Sequence, residues 1–342
     1  MSSIQKPFRD LRHLWHTGAM AHRGMMFDKW WRACLLCLTL AVFASTWSTA
    51  AANEERTLEL HESVARHPYT TVMINGESAT ALLDTGATIA LIDRRLVDIE
   101  FDAAAPLDEA RILGIGGKRK YPVTQLDNLS AGSERWTDIR VAVNTESQFP
   151  VHRTIMPVSI FDTRVVDFDF ANHQVHLYDG RPKRVRRAHK SWLNYQNVND
   201  LIFVTVRING VYGKALVDTG ADVSFVNERF ANDTRAVLDE VRTQLIRGSD
   251  LSNNRASVYT FRHMRFADNE INRVTLPVLD TELFEELGFA DQPMMVMGMD
   301  LLRQFRLQID RERERVYFVL PMDRRPIGEA ARIMRSSRRG NS

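Results

Sequence analysis

INGESATALLDTGATIALID, Ile74 to Asp93, returns 134 residues later as INGVYGKALVDTGADVSFVN, Ile208 to Asn227, with nine of twenty aligned positions identical. An alternating, β-branched run precedes each copy: Tyr69 to Ile74 (YTTVMI) and Phe203 to Ile208 (FVTVRI). Alternation with period two is the pattern of a half-buried strand, and the Asn-Gly that follows marks a tight hairpin. The copies also close alike. VVDFDFANHQVHLYD (Val165 to Asp179) and RLQIDRERERVYFVL (Arg306 to Leu320) each read as two strands around a polar turn. The expected body is all-β for the most part, built of two tandem lobes related by a pseudo-two-fold axis. Each lobe has about 125 residues, an ordinary domain size.

Both copies carry Asp-Thr-Gly between apolar stretches, at Asp84 to Gly86 and Asp218 to Gly220. An ionisable side chain placed where an apolar strand turns needs a compensating arrangement. A pair supplies one: if the axis brings the two loops together, Asp84 and Asp218 approach closely and share a proton. A water between them can then lose a proton to the ionised member while the protonated member polarises a carbonyl. Thr85 and Thr219 are expected to hydrogen-bond across the axis, and Gly86 and Gly220 to let backbone approach the carboxylates. The residue after each triplet is alanine, Ala87 and Ala221, so no hydroxyl there donates to the ionised pair. The shared proton should then persist to higher pH, giving activity from mildly acidic toward neutral conditions.

LVDTGADVSFVNE (Leu216 to Glu228) and VMGMDLLRQF (Val296 to Phe305) resemble the catalytic loop and closing segment of the retropepsin-like aspartic peptidases. The resemblance implies closed β-barrel lobes, peptide-bond hydrolysis by an aspartate dyad, and neither metal nor cofactor. It also implies a glycine-rich flap, carried over to ILGIGG (Ile112 to Gly117) with Gly114, Ile115, Gly116 and Gly117 at its tip; the plainer reading of these glycines is a turn. Asp222 matches a position that contacts substrate backbone. A duplicated chain resembles the single-chain, two-lobed arrangement, a monomer acting on polypeptide.

Some positions depart from that pattern. Val296-Met297-Gly298 keeps the closing element, but the first repeat has Ile155-Met156-Pro157, with Ser159 where Asp300 stands. Proline lacks an amide proton, so the packing beneath the Asp84 loop must differ. Met299 replaces an expected arginine partner of Asp222, and Thr88 stands at the position of Asp222 in the first repeat. Around the second flap point, Gly248-Ser249-Asp250 keeps one glycine.

The composition, 44% hydrophobic and 26% charged with a formal charge of +2, is that of a globular protein and implies no nucleic-acid partner. The two cysteines, Cys34 and Cys37, lie in the apolar run Ala33 to Ala44, so the body has no disulfide, zinc-thiolate or cysteine nucleophile. His173 and His176 have a ligand-like spacing, but they flank a turn with no Cys or Glu nearby in the sequence and read as surface residues. No phosphate-binding loop or serine-nucleophile elbow occurs.

That apolar run follows Lys29 and Arg32 and precedes small residues, the layout of a signal peptide; Ala33 to Ala52 also fits an uncleaved anchor. Met25 or Met26 offers a shorter start. Either topology places the body outside the cytoplasm, periplasmic or secreted if cleaved and membrane-anchored if not. The expected divisions are 1–52 signal or anchor, 53–180 first lobe, 181–195 basic linker, 196–320 second lobe and 321–342 disordered Arg-rich tail. The linker reads as solvated, or as a membrane-surface patch or processing site. Two other readings stay open: a non-catalytic binding or scaffolding module on the same fold, and a homodimeric peptidase using Asp218 from two chains.

Overall fold

The computed structural model describes residues 55–61, 67–97, 108–114, 117–146, 153–247, 253–322 and 333–335. The segment 1–52, Ile115, Gly116 and Gly248 to Asp250 lie outside the described residues.

Both Asn-Gly pairs form two-residue hairpins. Asn75 and Gly76 have φ of 47° and 90°, and Asn209 and Gly210 have 46° and 93°. Positive φ at both positions suits the right-handed twist of the strands they join. The first joins β2 (Tyr69–Ile74) to β3 (Glu77–Asp84), the second β12 (Leu201–Ile208) to β13 (Val211–Val217). β3 starts exposed at Glu77 and ends fully buried from Ala81 to Asp84, so the chain carries its aspartate into the interior.

Strand makes up 61% of the described residues and helix 9%, against about 20–25% strand in an average domain, which makes the protein mostly β. The remaining strands of the first repeat are β1 (Arg56–Glu59), β4 (Leu91–Asp93), β5 (Glu109–Gly114), β6 (Gly117–Ala131), β7 (Glu134–Asn144), β8 (Arg153–Pro157), β9 (Val165–Asp169) and β10 (Gln174–Tyr178). Those of the second are β11 (Ala188–Val198), β14 (Phe225–Val226), β15 (Val237–Arg247), β16 (Asn253–Phe266), β17 (Asn269–Val278), β18 (Met294–Met297), β19 (Arg306–Asp310) and β20 (Arg315–Pro321). Among the described residues the three short α-helices, α1 (Glu228–Asp233), α2 (Glu282–Glu286) and α3 (Met299–Leu302), belong to the second repeat.

Within each repeat six strands close into a barrel. The order β2-β3-β8-β4-β7-β6 returns to β2 through Met73 opposite Ser130. The order β12-β13-β18-β14-β17-β16 returns to β12 through Arg207 opposite Arg265. Closure pairs the first and last strand of each barrel, while β1, β5 and β15 stay at the ends of the sheets. The hairpins read at the two chain closures do something else: β1, β10 and β9 continue into β19, β20 and β11, so both repeats contribute to one sheet. The seam is the antiparallel pair β9–β19, with Val166 opposite Ile309 and Phe168 opposite Leu307. Buried residues of both repeats, among them Leu83, Phe168, Val217 and Phe318, join in one hydrophobic cluster. Phe266, Phe305 and Phe318 meet edge to face, with centroids 5.1 to 5.7 Å apart, and tie the second barrel to the shared sheet.

Two expectations about the connecting segments need correction. The segment 181–195 is a linker only in its first part, where Arg181, Lys183, Arg184, Arg186 and Arg187 are exposed. From Ala188 onward it is strand β11, paired with β20 on one side and β12 on the other. Lys190 is accommodated by lying 4.3 Å over the Tyr317 ring and donating to the Pro182 carbonyl. In the expected disordered tail, Pro321 ends β20, and Ile333–Arg335 forms β21, antiparallel to β17 with Ile333 opposite Ile271. The other tail residues after Met322 lie outside the described ones. Among the described residues, no helix is long and apolar enough to cross a membrane.

Candidate active site

Asp84 ends β3 and Asp218 follows β13, so equivalent turns deliver the two aspartates. The loops interlock through their threonines. Thr85 Oγ1 donates to the Val217 carbonyl and Thr219 Oγ1 to the Leu83 carbonyl, both at 2.7 Å. The Thr85 amide donates to Thr219 Oγ1 at 3.0 Å, and the Thr219 amide to Thr85 Oγ1 at 2.9 Å. Each buried hydroxyl thus binds a carbonyl and an amide of the opposite loop, which leaves no polar atom of the exchange unpaired.

The glycines register how closely the carboxylates approach. A Cβ on Gly86 would lie 2.6 Å from Asp218 Cγ, and one on Gly220 would lie 2.3 Å from Asp84 Oδ2. Any side chain at either position would displace the opposing carboxylate. The Gly86 amide donates to Asp84 Oδ1 at 2.7 Å. Asp218 Oδ1 accepts from two amides, Gly220 at 2.8 Å and Ala221 at 3.1 Å.

Burial, reinforced by the like charge of Asp218, holds the Asp84 carboxyl well above the usual carboxylate range. Burial raises Asp218 as well, but the Gly220 amide, its hydrogen bond with Asp84, the Ala221 amide and the charge of His67 pull it back. Two carboxyls so placed hold one proton between them.

Beneath the second loop lies a buried network. Ser224 Oγ donates to Asp300 Oδ1 at 2.6 Å and accepts from the Gly298 amide at 2.9 Å, while the amides of Ser224 and Leu301 also donate to Asp300 Oδ1, both at 2.9 Å. Burial pushes the Asp300 carboxyl up, and these donors oppose the shift. A Cβ on Gly298 would meet the Ala221 carbonyl at 2.8 Å, so the loop backbone requires glycine there. The first repeat exchanges all three members: Ala90 for Ser224, Pro157 for Gly298 and Ser159 for Asp300. Pro157, opposite Asp84 in the β3–β8 pair, needs no acceptor for an amide it lacks.

The β5–β6 hairpin places Gly114 opposite Gly117, on either side of the expected flap tip. Gly117 has φ of 101°, and a Cβ there would lie 3.2 Å from Glu282 Oε2. The Lys118 amide donates to Glu282 at 3.1 Å, the Lys118 ammonium pairs with Glu286, and Leu113 packs on the apolar cluster around Phe203 and Phe284. The first-repeat hairpin therefore reaches across to α2 of the second repeat.

Asp222, matched to a substrate-contacting position, has Oδ1 2.7 Å from Nε2 of His67. His67, Glu282 and the Ser224–Asp300 pair escaped sequence reading. Only the last carried a usable local signal, Ser224 lying six residues past Asp218.

A family model described as aspartyl protease matches residues 70–161 and 204–301, one segment per repeat and together more than half of the chain. The chain belongs to the retropepsin-like aspartyl protease family. The two matches make it a tandem-repeat member of this aspartyl protease family, and a protease-type function goes with that membership. A search of curated proteins finds no significant match.

Proposed function

We propose that this aspartyl protease is a single-chain aspartic endopeptidase in which Asp84 and Asp218 activate a water against a peptide bond. The observation that carries this reading is the crossed placement of the two carboxylates, each packed against the glycine of the opposite triplet. In the resting state Asp84 holds the proton and Asp218 is ionised. The water gives a proton to Asp218 as its oxygen bonds to the peptide carbon, and Asp84 gives its proton to the carbonyl oxygen. Collapse of the tetrahedral diol returns that proton to Asp84. The proton on Asp218 passes to the departing amine, and the C–N bond breaks without a covalent enzyme adduct. The Thr85–Thr219 exchange keeps the carboxylates in register.

Both aspartates come from one chain, which supports a monomer over a dimer of second repeats. The run Ala33 to Ala44 with its basic flank supports export, with the body in the periplasm or outside the cell, or anchored facing that side. Incubation of the purified protein with a peptide library tests the assignment. Cleavage that both Asp84→Asn and Asp218→Asn abolish supports it, and intact peptides with folded protein refute it.

A further inference from the structure

His67 lies just ahead of β2 in the first repeat, yet its buried ring engages the Asp218 loop of the second. Nδ1 sits 3.1 Å from the Thr219 carbonyl oxygen and Nε2 sits 2.7 Å from Asp222 Oδ1. Both facing atoms are acceptors, so satisfying both requires an N–H on each ring nitrogen, which only the imidazolium has. The symmetry-related positions differ together: Leu201 stands in the second repeat where His67 stands in the first, and Thr88 stands in the first where Asp222 stands in the second. One end of the dyad thus carries the His67–Asp222 contact and the other carries neither member.

We propose that His67, held as an imidazolium, is a positioning residue of the catalytic centre that clamps the Asp218 loop through Thr219 and Asp222. Its charge beside the dyad keeps Asp218 ionised and leaves the shared proton on Asp84. The inference rests on the dyad reading above.

The groups around His67 favour the charged ring. Asp222 and Asp218 face it from the second loop. On its own side Tyr69 meets it edge to face at 6.1 Å, Arg153 of β8 lies over the Tyr69 ring, and Asp84 lies beyond. Burial opposes the charge, but the bond to Asp222, the Thr219 carbonyl and the charges of Asp222 and Asp218 outweigh it, so His67 is raised above its ordinary value. The sign follows: the clamp is complete below about pH 6.5, the ordinary imidazole value, and is lost as pH rises through the raised one.

The test uses the full chain in two measurements. In the pH profile of kcat/KM, His67→Gln is expected to move the acidic limb upward by about half a unit or more, because Asp218 loses a neighbouring positive charge. His67→Lys, which restores the charge, should return the limb toward its original place. A purely structural histidine would lower activity by one factor at every pH, and that result overturns the proposal. Nitrogen-15 NMR of the unsubstituted protein provides a readout independent of activity and of variant folding. Protons on both ring nitrogens of His67 at pH 6.5 are expected, and a neutral ring there refutes the clamp. If the limb shift fails while both aspartate variants are inactive, the dyad stands and the clamp alone falls.

Discussion

Thr85 and Thr219 exchange hydrogen bonds completely: each hydroxyl donates to the residue before the other repeat's aspartate and accepts from the other threonine's own amide. The two loops are joined by four buried bonds where a single chain crosses its own symmetry axis. Neither threonine is replaceable by an isostere without orphaning a carbonyl and an amide. Thr219→Val is expected to cost about 2–6 kcal/mol, given about 1–3 kcal/mol for each buried group left unpaired. Thr219→Ser should cost much less. Urea unfolding of both variants checks this, and because the two hydroxyls make four different bonds the double Thr85→Val, Thr219→Val variant should cost about the sum of the singles, any departure measuring the coupling between the loops.

Gly86 and Gly220 are limited by the opposite carboxylate. A methyl group at either position meets Asp218 or Asp84 inside van der Waals contact, so Gly86→Ala should displace the dyad. A displacement of about 1 Å costs on the order of a hundredfold in rate. Steady-state kinetics of Gly86→Ala and Gly220→Ala, alongside melting curves, should show activity falling far more than stability.

A carboxyl held above its ordinary range makes the native state bind a proton that the unfolded chain has released. Folding stability contributed by Asp84 is therefore lost as pH rises from the ordinary carboxylate value toward its raised native one. Asp84→Asn removes that loss. Its melting temperature should exceed that of the unsubstituted protein at pH 7, by roughly 2–4 °C for each kcal/mol relieved, and the difference should vanish near pH 4.

The dyad's upward shift also bears on Ala87 and Ala221. Ala87→Ser with Ala221→Ser adds a donor for the ionised carboxylate, and the whole pH–rate profile should move to lower pH. An unmoved profile, or an unsubstituted enzyme already fastest in strong acid, contradicts this account of the pair.

Arg306 in the second repeat binds Asp167 of the first through Nε at 2.7 Å and Nη2 at 2.9 Å, and Asp169 through Nη1 at 2.6 Å. Asp167 is fully buried, with Tyr178 and Gln308 also donating to it. Arg306→Met leaves that charge uncompensated and should destabilise the chain by about 3–5 kcal/mol in urea unfolding. Arg306→Lys should recover little, since one ammonium cannot reproduce the fork.

What could be read beforehand was what is local. The Asn-Gly turns, the apolar approach to each aspartate and the terminal hairpins declare themselves within a few residues, and the repeat supplied the symmetry that made Thr85 and Thr219 neighbours. The rest depends on partners far away in the chain. His67 meets the Thr219 carbonyl across 152 residues, and Arg306 meets Asp167 across 139. Nothing in SVARHPY or QFRLQID signals those contacts. β11 escaped because its burial does not alternate cleanly, with only Ser191 and Tyr195 fully buried in its eleven residues. Its basic start resembled a solvated run, although Lys190 lies over the Tyr317 ring and donates to the Pro182 and Lys183 carbonyls.

The most direct test of the central claim is cleavage of a peptide library by the full chain and by its Asp84→Asn and Asp218→Asn variants. Two carboxyls sharing one proton must act as base and acid in the same step, so each substitution alone should reduce kcat/KM by at least about a hundredfold. Near-normal cleavage by Asp84→Asn would contradict the account and leave a dimer of second repeats as the catalytic assembly.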